Sequence, residues 1–147
     1  MLLSRAAEAA LKALPHLDPR GPEAPGKEAR VLALACGEPA PFLAKVLHKL
    51  ARAGLLRSKR GRTGGFVLGR PASEVTLADV VLAVEGADDL SKLLALPDGA
   101  AGAFLAPPRD ELAARLRATT LARLRREALR EPSNGAGAPR RGPEAAE

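Results

Sequence analysis

Three cations, Lys59, Arg60 and Arg62, crowd into the eight residues SKRGRTGG at positions 58–65, among three glycines and no acid. Cations on a glycine-rich turn suit the binding of phosphate, because glycine lets the backbone approach closely and guanidinium or ammonium groups pair with anionic oxygens. A nucleotide is one source of phosphate, but neither GxxxxGK[ST] nor GxGxxG spacing is present. A solvated hairpin charged only for solubility would explain the turn, yet not what lies upstream of it. Between Glu38 and Glu74 the chain carries Lys45, Lys49, Arg52, Arg57, Lys59, Arg60, Arg62 and Arg70, and no carboxylate. Subtracting these eight from the net charge of +6 leaves the remainder at −2. The basic character sits in one segment and favours an anionic partner.

The elements that must position this segment are helical. Ser4 is an N-cap for a helix through Leu14, stopped by Pro15. His16 to Gly26, with three prolines and two glycines, reads as a loop. Lys27 to Ala35 forms a second helix closed at Gly37. Pro41 suits the first turn of a third. There Leu43, Val46, Leu47 and Leu50 make a buried stripe, leaving Ala44, Lys45, His48, Lys49 and Arg52 on the opposite face. Gly54 ends that helix. Leu55–Arg57 and Phe66–Gly69 then read as two short strands of a hairpin tipped by the basic turn. Three helices followed by a hairpin is the order of a winged helix-turn-helix, with the third helix in the major groove and Arg60 or Arg62 reaching a narrow minor groove.

Beyond the hairpin, Thr76 to Asp79 resembles a capping box and opens a helix through Glu85, closed by Gly86. Ala87 to Leu96 reads as one more short helix and Asp98 to Pro108 as a loop. Arg109 to about Leu129 reads as a single helix of about 30 Å, whose seam of Leu112, Leu116, Thr119 or Thr120 and Leu124 calls for a partner surface. The expected class is mainly α: a winged helix-turn-helix domain at 1–86 with a two-stranded wing, a connecting segment and long dimerisation helix at 87–130, and a disordered tail at 131–147.

The 147 residues include one cysteine, Cys36, so no intrachain disulfide is possible and a reducing compartment is expected. Cys36 is open to two readings, a small buried hydrophobe or a redox thiol at the junction of the second and third helices. His16 and His48 have no other ligand nearby in sequence, and no metal is expected at either. Nothing pairs a nucleophile with a base and an orienting acid, so an enzyme is not expected. No apolar run approaches the roughly 18 to 20 residues that span a bilayer, and Glu8 and Lys12 interrupt the N-terminal segment. A cytoplasmic location without membrane contact follows as the expectation.

The run FLAKVLHKLARAGLLRSKRGRTGGFVLGRPASEVTLADVVLAVEG, Phe42 to Gly86, resembles the Rrf-two family of bacterial transcription regulators, which includes the IscR, NsrR and CymR types. The resemblance rests on the aromatic-Leu helix start, L-x-x-A-G-L, R-G-x-x-G-G-F followed by x-L-x-R-P, and V-T-L-A-D-V. Looser matches at Leu3-Ser4, Ala13-Leu14, Leu32-Ala33 and Thr120-Leu121 extend it over roughly residues 1–130. It implies a homodimer with crossing long helices, each third helix and wing on one half of a roughly palindromic site in double-stranded DNA.

The departures from that pattern are as informative. Many members hold an iron-sulfur cluster on three cysteines in the loop after the capping-box helix, and Ala87 to Pro108 has none. A cluster held as the family holds it is excluded, and no cofactor is expected. Ala6, Glu8 and Ala9 stand where relatives often carry basic residues and Tyr, leaving Arg5 and Lys12 as phosphate contacts. Pro39, Ala40, Pro41 and Ala44 stand where relatives often have polar base readers, leaving Lys45 and His48 for base edges. The expected interface is therefore Arg5, Lys45, His48, Lys49, Arg52, Lys59, Arg60 and Arg62, in a DNA-binding regulator acting as a repressor. The alternative is a winged-helix assembly module whose third helix and wing contact an acidic protein.

Overall fold

A computed structural model describes residues 3–130; the tail expected at 131–147 lies outside the described residues. The chain runs α1 (Arg5–Ala13), a 3-10 turn (Leu14–His16), α2 (Ala29–Cys36), α3 (Ala40–Arg52), β1 (Leu56–Lys59), β2 (Gly65–Leu68), a second 3-10 turn (Ala72–Glu74), α4 (Leu77–Glu85), α5 (Leu90–Leu93), α6 (Ala100–Ala118) and α7 (Leu121–Arg130). Ser4 caps α1 by accepting from the Ala7 N–H at 3.1 Å, and its hydroxyl donates to Glu85 at the end of α4. The apolar stripe of α3 is buried as its spacing requires, each of Leu43, Val46, Leu47 and Leu50 contributing about 1.5–3 kcal/mol. These side chains meet Ala7, Ala10 and Leu14 of the N-terminal segment, Leu32 of α2, Leu56 and Leu68 of the strands and Val80 and Val84 of α4 in one core. A second cluster, Ala78, Val81, Leu90, Leu94, Ala113 and Leu116, lies on the other side of α4.

Between α2 and α3 the axis bends by 115°, within the range of a helix-turn-helix. Gly37 adopts a left-handed φ of +73°, and the Glu38 N–H reaches back to the Ala33 carbonyl at 3.1 Å, closing α2 in a Schellman turn. β1 and β2 pair antiparallel from Leu56↔Leu68 to Lys59↔Gly65. Behind the hairpin, Thr76 and Asp79 complete the capping box at 3.1 and 2.9 Å, and Arg70 donates to the same Asp79 carboxylate at 2.9 Å. The exit of the wing is thereby tied to the start of α4.

Three expectations fail. The second helix starts at Ala29 because Lys27 instead pairs with Phe66 in an antiparallel bridge, with N···O distances of 3.0 and 2.8 Å. Residues 98–108 are not a loop: α6 begins at Ala100 and runs through Pro107 and Pro108, which deprive the Ala103 and Phe104 carbonyls of their usual donors. Nor is 109–129 one rod. The chain leaves helical geometry at Thr119 and Thr120, where Thr120 bridges to Thr76. Leu77, whose N–H has no partner inside the first turn of α4, donates to Thr119 at 2.8 Å, while the Leu121 N–H donates to Val75 at 2.8 Å.

This break divides the leucine seam. Leu116 packs in the second cluster, with Leu112 against it, while Leu121 is buried in the main core with Leu124 at its edge. The seam's partner is therefore the same chain. Arg125 of α7 fixes the arrangement by donating to the carbonyls of Pro15 and Leu17 at 2.6 and 3.0 Å. Burial, then the charges of Lys27 and Arg125, lower the pKa of the neighbouring His16 below its usual 6.5. Below that pH the unfolded chain takes up this proton first, so the contribution to stability is lost as the medium acidifies towards the folded value. Replacing Arg125 by Ala leaves two carbonyls short of a charged donor and should lower unfolding stability by about 2 kcal/mol in urea titrations at pH 7.5.

Candidate nucleic-acid interface

Two surfaces carry the basic segment. On α3, Lys45, His48, Lys49 and Arg52 are exposed opposite the buried stripe, as expected. On the wing, Arg60 and Arg62 are exposed in the turn between Lys59 and Gly65, where Gly61 takes φ +99° and the Gly64 N–H donates to the Gly61 carbonyl at 3.0 Å. The two surfaces are joined by aromatic contact: the His48 ring lies edge-on to Phe66 of β2, centroids 5.3 Å apart and planes at 74°. His48 thus sits at the corner between helix and wing.

The wing is also held from below. Gly26 donates to Thr63 at 2.8 Å beside the isolated Lys27–Phe66 bridge, so the loop after α1 is pinned along the edge of the two-stranded hairpin. Gly65 has φ +118°, and a Cβ there would lie 2.4 Å from the Lys27 carbonyl carbon, so only glycine allows the approach. Lys59 belongs to this brace. It is half-buried, and its ammonium donates to the Ala24 carbonyl at 2.7 Å.

Arg5 is likewise engaged within the protein. Its guanidinium lies 3.5 Å from the Glu38 carboxylate and 5.1 Å from the centroid of the Phe42 ring. Lys12 reaches the other oxygen of Glu38 at 3.2 Å. Neither pairing is visible in the sequence, where Glu38 stands only as the boundary of the acid-free segment. Arg70 is held by Asp79 and by the Glu74 carbonyl. By contrast, among the described residues Lys45, Lys49, Arg52, Arg57, Arg60 and Arg62 form no ion pair. Six cations on one stretch of helix and hairpin thus have no carboxylate partner among the described residues.

Cys36 is the last residue of α2, half-buried against the core, with its sulfur 3.9 Å from the Ala33 carbonyl. Among the described residues no three His, Cys, Asp or Glu side chains come together as metal ligands, and no single helix is long and apolar enough to cross a membrane.

The model of the Rrf2 family, described as iron-dependent transcriptional regulators, matches residues 3–127. The chain belongs to the Rrf2 family. The fold agrees: CymR, the global cysteine regulator of B. subtilis, superposes with a TM-score of 0.71 at 25% identity, over 85% of this chain and 96% of that one. An IscR from T. potens superposes with a TM-score of 0.70 at 23% identity, over 92% and 93% of the two chains. Local sequence similarity is higher. Protein aau3 of Rhizobium meliloti is 54% identical over 54 residues, 37% of this chain and 35% of that protein. A putative HTH-type transcriptional regulator of Mycobacterium tuberculosis, MT1325, is 46% identical over 55 residues, 37% of this chain and 34% of that protein. The matched stretches thus span about a third of the length of these relatives. The model describes a family of transcriptional regulators, and this member has the winged helix-turn-helix fold of its structural neighbours. Its donor set does not fit an iron-sulfur cluster: the stretch after α4 offers no thiolate, and leucines and Pro108 there line an apolar cleft instead.

Proposed function

We propose that the protein is a repressor that binds double-stranded DNA as a homodimer on a roughly palindromic site, without a cluster. The carrying observation is the set of unpaired cations that runs from the exposed face of α3 onto the wing. Lys45 and His48 face base edges in the major groove, Lys49 and Arg52 meet phosphates beside it, and Arg60 and Arg62 follow the backbone into the adjoining minor groove. Lys59 acts indirectly, bracing the loop that holds the wing.

The homodimer is supported by a surface that shares Leu112 with the leucine seam expected from sequence but lies mainly on the first half of α6. Phe104 is 83% exposed and Leu105 44% exposed on the first half of α6. Beside them lies an open apolar cleft of about 450 Å³ lined by Leu93, Leu96, Leu105, Pro108 and Leu112 among others. A second copy crossing at α6 would cover both, in keeping with the crossing helices that the family resemblance implies.

Each part has its own test. Replacing Arg60 and Arg62 with Ala should weaken binding to many duplexes together, and reduce the magnitude of the log-log salt slope by roughly 0.9 for each phosphate no longer neutralised. Lys45→Ala should instead cost about 1 to 3 kcal/mol, mainly on the preferred site. Unchanged affinity and slope in the double variant would reduce the wing to a solvated hairpin. For the assembly, Phe104→Asp combined with Leu105→Asp should sediment as a folded monomer at micromolar concentration where the wild type is a dimer. A dimer that survives both charges would place the interface elsewhere.

A further inference from the structure

We propose that Glu38 is a positioning residue that holds Arg5 against the first turn of α3, making Arg5 a reader of base edges; this rests on the DNA-binding function proposed above. Glu38 stands in the turn between α2 and α3, its backbone fixed by the Schellman closure at Gly37. Its side chain is 8% exposed, and two α1 cations converge on it: Arg5 at 3.5 Å and Lys12 at 3.2 Å. For a surface that only attracts phosphate, a carboxylate beside the leading end of the recognition helix is a handicap. It repels the backbone and neutralises cations that would otherwise reach it. Its placement makes sense if the orientation of Arg5 matters more than its free charge.

The guanidinium is held at two points, by the carboxylate and by the face of Phe42, the third residue of α3. The Arg5 side chain nevertheless remains 65% exposed, leaving donors of the fork free to point outward. A guanidinium fixed in plane is what bidentate recognition of guanine O6 and N7 requires, whereas a phosphate contact tolerates a mobile one. The front of α3 supplies little competition for this role. Ala40, Pro41 and Ala44 have no polar side-chain atom, and the leading turn of a recognition helix is where base edges are met. Arg5 takes up from α1 a task that α3 leaves open.

The test is selection of bound duplexes from a randomised pool, with salt titrations on the winning sequence, for wild type, Glu38→Gln and Arg5→Lys. Glu38→Gln keeps the shape and removes the charge. It should lose about tenfold in preference at one G·C position and show a steeper salt slope, by roughly 0.9 for each cation released to phosphate. Arg5→Lys, which keeps the charge and loses the planar fork, should lose the same preference with no steepening. A role confined to folding would lower the melting temperature of Glu38→Gln and leave motif and slope alone. The inference is overturned if either variant selects the wild-type motif at full strength, or if the wild type binds DNA and enriches no motif. A wild type with no duplex affinity at low salt overturns the DNA-binding proposal itself.

Discussion

The close backbone approach at Gly26, Gly64 and Gly65 is the constraint on which the basic surface depends. The loop at Lys27 can lie against Phe66 only because no Cβ projects from Gly65, and a Cβ on Gly26 would meet the Gly64 carbonyl carbon at 2.8 Å. With that approach closed, the two-stranded wing gains a third backbone partner, and an isolated hairpin is at best marginally stable in water. Lys59 turns inward to the loop. Arg60 and Arg62 are left projecting from a turn whose base is held on both sides. The other end of the same loop is gripped by Arg125, so α7 and the wing bear on one continuous stretch of chain, residues 15–27.

The second organising feature is the division of the cations. Arg5, Lys12, Arg20, Arg30, Arg70, Lys92, Arg109 and Arg115 have carboxylate partners. Exposed pairs of this kind add at most about 1 kcal/mol each, so their number says little about stability. Their distribution says more. Acids accompany cations around the α3 and wing surface, at Glu38 and at Asp79, and are missing from it. The result is a bounded basic strip, and Glu38 at its edge is a carboxylate drawn close to the leading turn of α3.

Much of this was legible in the sequence where a local rule governs a run of residues. The spacing of Leu43, Val46, Leu47 and Leu50 determines which face of α3 is buried, and so which face carries Lys45 and Lys49. Thr76 and Asp79 satisfy each other three residues apart, and the alternation of apolar runs with Gly61, Gly64 and Gly65 marks the hairpin. What escaped was decided at a distance. The Lys27–Phe66 bridge is too short to leave a periodic signal. The break at Thr119 and Thr120 answers an unpaired N–H on Leu77, more than forty residues earlier in the chain. At 98–108 the punctuation of Gly99, Gly102, Pro107 and Pro108 suggests a loop, but the alanines and leucine among them favour helix, and α6 is anchored further along by Ala113 and Leu116. Arg5 and Glu38 are 33 positions apart, and nothing in either neighbourhood announces the pair.

The central claim is that α3 and the wing form a DNA-binding surface, and the salt dependence of duplex binding tests it most directly. Titrating a duplex with the wild-type protein from about 50 to 200 mM salt should give a log-log slope of roughly −3 to −4 per protomer, as expected for Lys49, Arg52, Arg60 and Arg62 on phosphates. A protein with little duplex affinity even at the lowest salt, or with affinity flat across the range, would contradict the account and favour an acidic protein as the partner of the same strip.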